Sequence, residues 1–594
     1  MQKTRREILL FMGGGAAGAM LTPAPWRLIT DTAIWSENWP GIPRPAAGEV
    51  SERYTNCALC PAGCAVRARL VNGQPVSLAG AAGHPWSRGA MCAFGLTAHH
   101  LPYHPDRLKV GSASEAETAA AVADAMARRG AGEKAAVLDL APGRAASAVY
   151  RRAMAAVKDG VYLTPERPLG GARVDLSKAR TVLSLGVPLF AGWGTPGNLY
   201  TARANFRLIQ AEPYESATAA LSDEWLAIKP GSEAILAAAL AGKIPNTDAA
   251  VATGLAEQRI VDVGLSLRAN GPSVVLAPEN SPEVFELNRA LGAFGKTLVA
   301  DDSAEHGAPD GATLASVPDG SIRVLFLDES VPGAHIPWKA IERKLVPSNP
   351  LVVAFAWSRE GYGRHAHFVL PAAVYPEMLT DIPSALDSPA PMFRLAAPLV
   401  AAPAGMIDPV AFVAKTAGID PGNPLREKAD AIQKAGRGSV FTPAGGKSTP
   451  VRSLKPDDFW KALNNGATWM GEPAAGTSFA KPASTLAAGD ASDFRLAVAF
   501  TGAHFATLAS PLMAKLYQDS DLRLAPDTVA LHPDTARAAG LADAARGKLE
   551  TAYGACAVGL VLDAAVPKGL LRVAPGPETL DICGANTRAK VAAL

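Results

Sequence analysis

The clearest pattern in this sequence is a series of short, apolar runs, each separated from the next by a segment of helical periodicity. Because both faces of such a run are apolar, it is typical of a strand in a parallel sheet covered on both sides. We therefore predict an α/β fold with two Rossmann-like lobes and mainly parallel sheets, over 111–250 and 251–417. The predicted strands are AAVLDL (135–140), TVLSLG (181–186), RLIQAEP (207–213), EWLAIKPG (224–231), SVVLAP (273–278), RVLFLD (323–328) and LVVAFA (351–356).

The pattern changes after the second predicted lobe. Residues 418–485 are rich in Gly, Pro, Ser and Lys, which predicts a linker or surface excursion. From 486 to 594, short strands with turns between them predict a small C-terminal β-barrel. No Gly-x-Gly-x-x-Gly follows a predicted strand, so the sequence does not support a nicotinamide dinucleotide site.

Residues 1–26 begin with paired arginines and continue as an apolar, glycine-containing segment. Arg5-Arg6 before an uncharged run from Ile8 to Trp26 is typical of a twin-arginine (Tat) export signal. The alternative is an ordinary basic N-terminus before a short apolar helix. The Tat interpretation places the protein at the periplasmic face of the cytoplasmic membrane, with the segment either cleaved or retained as an anchor.

The composition limits which classes of binding partner are expected, and it leaves the predicted fold class unchanged. The 594 residues include 57 Lys and Arg against 55 Asp and Glu, a formal charge of +2. So small an excess gives no basic footprint for nucleic acid. Six cysteines are too few for a disulfide-based scaffold at this length, but four of them fall in one short window.

That window lies in a predicted domain over 27–110 and has the spacing Cys57-x2-Cys60-x3-Cys64-x27-Cys92. A [4Fe-4S] cluster needs four soft sulfur ligands at the corners of a tetrahedron, and one compact loop can supply three of them. A segment that returns from a distance supplies the fourth. We therefore predict a [4Fe-4S] cluster on these cysteines, with two structural disulfides and then a zinc site as alternatives.

The other cysteines and the histidines near Cys92 are weaker candidates. Cys556 and Cys583 lie in the predicted barrel and are expected to be buried or free thiols, with a disulfide between them as the alternative. The histidines could be cluster ligands or a proton route, but packing or surface positions are favoured because four cysteines already complete a cluster. These histidines are His84, His99, His100 and His104.

Taken in order, the motifs resemble those of molybdopterin oxidoreductases that carry bis-guanine-dinucleotide cofactors. The resemblance implies an N-terminal Fe-S domain, two Rossmann-like lobes and a C-terminal barrel. It also implies that a pterin guanine dinucleotide would meet Gly192, Trp193, Gly194, Glu212, Asp223 and Gly231. The motifs are CALCPAGC with RGAMC, LSLGVPLFAGWGTP (183–196), the stretch 207–240, the stretch 351–377 and HPDTARAAGLAD (532–543).

Two departures from the family pattern change the functional expectation. Active members have a Lys or Arg just before the Gly that follows the last cysteine, whereas this chain has Phe94. Active members also present Cys, selenocysteine, Ser or Asp to the metal from the first lobe. No recognisable ligand loop occurs between Gly111 and Arg180. The resemblance therefore implies a member that kept the fold and the cluster but lost molybdenum, with the pterin either lost too or left in place.

Within the family, the sequence most resembles the molybdopterin-like subunits of periplasmic menaquinone reductase complexes, and next the related subunit of alternative complex III. MAKLYQDSDLR (513–523) and LDICG (580–584) add to this resemblance. The implied role is electron transfer in a membrane-associated quinone oxidoreductase complex. The implied partners are a multihaem cytochrome c, a ferredoxin-like iron–sulfur subunit and a quinone-binding integral membrane subunit. The alternative is a catalytic Mo or W oxidoreductase acting on a sulfur oxyanion or formate.

Overall fold

The computed structural model describes residues 4–21, 48–165, 172–278, 281–300, 311–359, 361–473, 479, 494–497, 524–543, 545–584 and 588–594. The chain forms two compact units, Met1–Ser51 and Glu52–Leu594. The motif at 513–523 lies outside the described residues. The described part of the first unit includes a helix over Arg5–Leu21, and no helix within the described ranges is long and apolar enough to span a membrane.

The regular elements are numbered here in chain order. The strands are β1 Val50–Asn56, β2 Ala65–Val71, β3 Gln74–Gly80, β4 Lys134–Leu138, β5 Gly160–Leu163, β6 Arg173–Val174, β7 Thr181–Leu185, β8 Arg207–Glu212, β9 Glu224–Ala227, β10 Ser273–Leu276, β11 Leu298–Val299, β12 Ile322–Glu329, β13 Leu351–Ala356, β14 Phe368–Pro371, β15 Thr380–Asp381, β16 Met392–Ala396, β17 Ser439–Thr442, β18 Lys447–Pro450, β19 Thr468–Met470, β20 Phe494–Ala497, β21 Thr528–Leu531, β22 Arg546–Thr551, β23 Gly554–Leu562, β24 Leu570–Ala574 and β25 Arg588–Ala593. The α-helices are α1 Arg5–Leu21, α2 Ala93–Thr97, α3 Glu115–Ala127, α4 Ala145–Ala156, α5 Pro196–Ala202, α6 Ala217–Ala220, α7 Glu233–Leu240, α8 Asn246–Thr253, α9 Glu257–Ala269, α10 Pro282–Ala290, α11 Trp338–Glu342, α12 Pro409–Thr416, α13 Pro424–Ala435, α14 Pro456–Asn464, α15 Pro533–Ala538 and α16 Pro577–Ile582.

Lobe A is built on five parallel strands in the order β14-β13-β12-β4-β5. Alternate residues of β12 enter different cores. Val324 and Phe326 pack with residues of α4 and α12, whereas Leu325 and Leu327 pack with residues of α11. Both faces of the sheet are therefore covered, which is why its strands read as continuous apolar runs.

Lobe B is built on four parallel strands in the order β10-β7-β8-β9. It shows the same two-sided burial. Leu183 and Leu185 of β7 pack with residues of α7, α9 and α10, whereas Val182 enters a core on the opposite face. The predicted α/β class with parallel sheets is confirmed by these two lobes.

The structure corrects the predicted division at 250/251. The prediction from the sequence assumed that strands near one another along the chain pair in the same sheet. Instead β4 hydrogen-bonds to β12, so lobe A is made of a segment before lobe B and a segment after it. Lobe B is thus an insertion between β5 and β12. An apolar run is equally apolar whichever strand it pairs with, so periodicity alone carries no information about this order.

The predicted linker over 418–485 is also corrected. Its described residues contain α13, α14 and three strands of an antiparallel five-stranded sheet in the order β15-β16-β19-β17-β18. The Pro and Gly residues that suggested a linker end and begin these elements. Asn423 and Pro424 begin α13, and Gly436 ends it in the left-handed conformation, with φ of 67°.

Two further units complete the architecture. The cysteine-rich region contains a three-stranded sheet, β1-β2-β3. The C-terminal strands close into a barrel in the order β20-β24-β21-β23-β22-β25, which confirms the predicted barrel. The barrel docks on lobe A through Asp581, whose carboxylate accepts hydrogen bonds from Arg364 and His365, each at 2.8 Å.

Candidate metal centre and strand-end crevices

Three of the four candidate cysteines lie in one tight loop between β1 and β2. The loop closes on itself through the amide of Cys57, which donates to the carbonyl of Cys64 at 2.9 Å, and the amide of Gly63, which donates to Cys60 at 3.1 Å. Gly63 has φ of 52°, a conformation that favours glycine. The loop therefore holds three thiols within one turn of chain.

The fourth cysteine returns to this loop just before helix α2. Gly95 of that helix lies beside two sulfurs, because a Cβ added to it would stand 3.6 Å from Cys57 Sγ and 3.9 Å from Cys92 Sγ. Cys57 and Cys64 are buried, Cys60 is half-buried and Cys92 is exposed. Cys57 and Cys92 thus both lie beside Gly95, and the four cysteines range from buried to exposed.

The electrostatics of the loop match a site that a metal must complete. Burial, and then Cys60, Cys64 and Cys92, raise the pKa of Cys57 well above its usual value. Burial and Cys92 raise the pKa of Cys60 to about 11, and burial and Cys60 raise the pKa of Cys64. Four thiolates this close are unfavourable without cationic metal, whereas iron ligation removes the protons and balances the charge. All six cysteines are free thiols, and no three acidic, His or Cys side chains within the described ranges are grouped to hold a single metal ion.

Arg394 of β16 reaches into the cysteine loop from a distant part of the chain, and the sequence did not reveal it. Its Nη1 donates to the carbonyls of Ala62 and Gly63 at 2.8 and 2.9 Å, and its Nη2 donates to Pro61 at 2.9 Å. The side chain is 1% exposed. A Cβ on Gly63 would stand 2.6 Å from Nη2, so the loop needs glycine there for a second reason. Arg394 is far from the cysteines in the sequence, and only the tertiary fold brings its guanidinium to the cysteine loop.

The other residues near the cysteines have contacts that favour packing roles. Phe94 packs against the apolar core beneath the cysteine loop. Nδ1 of His84 accepts from the amides of Trp86 and Ser87, which leaves Nε2 to donate to Thr468 at 3.1 Å. Burial and then Arg394 lower the pKa of His84 to about 3. Of the remaining three, His99 and His100 lie with ring centres 4.1 Å apart and ring planes tilted by 38°, and His104 packs edge-on against Trp357.

The structure brings five of the six candidate dinucleotide contacts to one edge of lobe B. Gly192 and Trp193 lie in a π-helical turn over Leu189–Trp193, after the carboxyl end of β7, and Gly194 follows it. Glu212 ends β8, and Gly231 lies in the turn after β9. Asp223 instead precedes β9 and accepts from the amide of Leu208 near the start of β8, at 2.7 Å. It therefore lies at the amino edge of the parallel sheet and does not join the others.

Two of these residues are already occupied by contacts within the chain. The carboxylate of Glu212 accepts from Gln210 Nε2 at 2.8 Å and from the amide of Ser216 at 3.1 Å. Burial raises the pKa of Glu212. A Cβ on Gly194 would stand 3.0 Å from the carboxyl carbon of Asp387. The loop is thus packed against Asp387, which accepts from Thr195 and Asn198.

Lobe A has its own crevice at the carboxyl ends of β4 and β12. These neighbouring strands are where the strand order reverses, the place at which open α/β sheets bind ligands. Here the guanidinium of Arg144 bridges Asp139 at 3.2 Å and Asp328 at 2.9 Å. These three side chains are at most 3% exposed.

Both carboxylate oxygens of Asp139 and both of Asp328 have partners from the chain itself. Tyr162 and Ser147 donate to Asp139 at 2.9 and 2.6 Å. Tyr150 and Ser330 donate to Asp328 at 2.8 and 2.5 Å. Buried acids that are fully satisfied in this way neither need nor attract an anionic phosphate. The donor set therefore does not fit a pterin guanine dinucleotide in lobe A.

Glu329, the last residue of β12, gives the lobe a pH-dependent stability. It is 3% exposed; Oε1 accepts from the amide of Tyr362 at 3.1 Å, and Oε2 has no partner among the described residues. Burial raises its pKa to about 8. Between pH 4.5 and 8 the folded chain therefore holds a proton that the unfolded chain has lost, so stability falls as pH rises.

We expect Glu329→Gln, a neutral mimic of the protonated acid, to remove this dependence. Its unfolding temperature should match that of the unaltered protein at pH 5 and exceed it by about 2–4 °C or more at pH 9. The exposed Glu472→Gln is the control and should change neither value. Thermal unfolding followed by circular dichroism measures both; equal curves for the Glu329 variant and the parent at pH 9 would show that burial does not raise the pKa of Glu329.

Comparison with known proteins agrees with this geometry. Residues 51–104, which include all four candidate cysteines, match the family model described as "Molybdopterin oxidoreductase Fe4S4 domain". Residues 51–104 are thus similar to a molybdopterin oxidoreductase Fe4S4 domain. That domain supports the predicted [4Fe-4S] cluster, and the predicted resemblance to molybdopterin oxidoreductases is confirmed.

Two proteins extend the similarity beyond the Fe4S4 domain. The chain is 26% identical over 561 residues to the menaquinone reductase, molybdopterin-binding-like subunit, of Nitratidesulfovibrio vulgaris, covering 78% of this chain and 80% of that protein. Its fold is similar to acetylene hydratase from Pelobacter acetylenicus, with a TM-score of 0.61 and 13% identity over 91% of this chain and 100% of that one. The second similarity concerns the fold alone.

Proposed function

We propose that this chain is the iron–sulfur electron-transfer subunit of an extracytoplasmic, membrane-associated quinone oxidoreductase complex, without a catalytic molybdenum centre. Cys57, Cys60, Cys64 and Cys92 would hold a [4Fe-4S] cluster, which supplies one-electron transfer when bound. The proposal rests on a combination of two features: Cys57 lies within electrostatic range of the other three cysteines, and Arg144 pairs with the two buried acids of the lobe A crevice.

The roles of the protein residues follow from their positions. The buried thiols of Cys57 and Cys64 keep water from one side of the centre. The exposed Cys92 leaves the other side open, and a redox partner can approach there. Phe94, packed into the core under the loop, offers no charge or side-chain hydrogen bond toward a pterin. These features support electron relay over small-molecule catalysis.

The setting of the subunit is also a proposal. The menaquinone reductase relative supports a quinone-reducing complex, so the expected partners are a multihaem cytochrome c, a ferredoxin-like iron–sulfur subunit and a quinone-binding membrane subunit. The paired arginines at the start of α1 support Tat export to the periplasmic face of the membrane. Export in the folded state is consistent with a cluster inserted before translocation.

Metal and pterin analysis of the purified full-length protein tests the proposal. We expect about four irons per chain, no molybdenum or tungsten, and no guanosine monophosphate or guanine released on acid hydrolysis. One equivalent of molybdenum or tungsten per chain contradicts the proposal and favours the alternative, a catalytic oxidoreductase acting on a sulfur oxyanion or formate. Absence of iron and of a paramagnetic signal after dithionite reduction contradicts both.

A further inference from the structure

We propose that Arg394 is a positioning residue that holds the cysteine loop and sets the reduction potential of the cluster. The inference rests on the proposed function, because it requires a cluster on the four cysteines. The active-family pattern has a cation next to the last cysteine, and this chain has Phe94 there. The structure assigns the cation near the cysteines to a different element, β16.

The contacts of Arg394 are specific to the cysteine loop. Its guanidinium donates to three consecutive carbonyls of the loop, those of Pro61, Ala62 and Gly63. A fourth bond, to the carbonyl of Pro383 at 3.1 Å, fixes it from the other side. A planar fork of this kind has a direction that a lysine ammonium cannot reproduce. The loop conformation between Cys60 and Cys64 therefore depends on this side chain.

The guanidinium also places an unscreened charge near the sulfurs. It lies within electrostatic range of the cysteines, since Cys64, Cys60 and Cys57 each favour its charged form. The remaining donor, Nε, has no acceptor among the described residues. An arginine guanidinium is charged at neutral pH. Solvent does not screen a cation that is 1% exposed.

Reduction of the cluster by one electron from a partner adds a negative charge to a centre that four thiolates already make anionic. A buried cation beside the loop stabilises the reduced form more than the oxidised form. Arg394 should therefore raise the reduction potential. Asp387 should act in the opposite direction, because its buried carboxylate is within electrostatic range of both Cys64 and Arg394.

The test is a redox titration of the full-length protein at pH 8, followed by electron paramagnetic resonance, with iron content measured in parallel. We expect Arg394→Gln and Arg394→Met to make reduction at least tenfold less favourable, a fall of about 59 mV for a one-electron couple. Arg394→Lys, which keeps the charge, should stay within about threefold of the parent. The control is Arg67→Gln, which removes a half-exposed arginine from β2 of the same domain and should change nothing.

Neutral variants that keep four irons and the parental potential overturn the inference while leaving the proposed function intact. If the neutral variants bind no iron, Asp387→Asn gives the answer. Burial raises the pKa of Asp387 to about 6, so the acid is charged at pH 8 and its removal should raise the potential. An unchanged or lower potential in Asp387→Asn overturns the inference. A parent protein with no reducible cluster contradicts the proposed function itself.

Discussion

Cys92→Ser is expected to abolish the electron paramagnetic resonance signal of the reduced [4Fe-4S] cluster and to release most of the bound iron. The cysteine is the single ligand outside the loop over 57–64, so nothing else in that loop can replace it. A serine oxygen is a harder donor and gives up its proton far less readily than a thiol. Iron per chain and the electron paramagnetic resonance spectrum after reduction measure the loss.

The matched control is Cys556→Ser in the barrel strand β23. Cys556 is a half-buried free thiol that belongs to no part of the proposed site, so iron content and spectrum should equal those of the parent. Full iron content and an unchanged spectrum in Cys92→Ser would refute the assignment of this ligand. Equal iron loss in both variants would point to general damage by cysteine replacement.

The second large effect is expected in the lobe A crevice. Arg144→Met leaves the carboxylates of Asp139 and Asp328 buried without a compensating cation, which costs about 3–5 kcal/mol of unfolding free energy. The attraction of Asp328 and Asp139 outweighs burial and raises the pKa of Arg144, so the charge is present at every relevant pH. For a chain of 594 residues the unfolding temperature should fall by about 2–4 °C.

Two further variants distinguish the buried ion pairs of Arg144 from ordinary surface ion pairs. Arg128→Met removes an exposed ion pair with Asp124 and should cost about 1 kcal/mol or less. Adding Asp139→Asn and Asp328→Asn to Arg144→Met removes the unpaired charges and should restore part of the stability. A loss below about 1 kcal/mol for Arg144→Met alone would show that water or a cation reaches the crevice, and would reopen it as a binding site.

Much of the fold is encoded locally and could be predicted. The run from Thr181 to Leu185 is buried at every position, and a strand buried on both faces cannot alternate polar and apolar residues. The capping box of Ser114 and Glu117 at the start of α3 is also encoded locally, because both of its hydrogen bonds lie within four residues. The cysteine spacing, too, is local except for Cys92.

What could not be predicted depends on partners far apart in the chain. Arg394 contacts Ala62, and Arg144 contacts Asp328; neither arginine stands out among its sequence neighbours. The sheet that contains β17 was interpreted as a linker because its helices bury few residues each, such as Ile432 of α13 and Phe459 of α14. The other residues of these helices are mostly polar, and Pro and Gly residues cap the helix ends. A sequence with this composition resembles a loop when the core that the helices pack against is not known.

The insertion of lobe B between β5 and β12 has a consequence for biosynthesis. β4 ends at Leu138, but its partner β12 begins at Ile322. The central strand pair of lobe A therefore cannot form until the residues between them and β12 itself have been synthesised. At ordinary elongation rates this delay is about 10–40 s. The strands of lobe B lie within 181–276, so their synthesis ends about 2–9 s before that of β12 begins. Until β12 is synthesised, β4 has an unpaired edge, to which strands of other chains can hydrogen-bond. This interval is therefore when the protein most needs a chaperone.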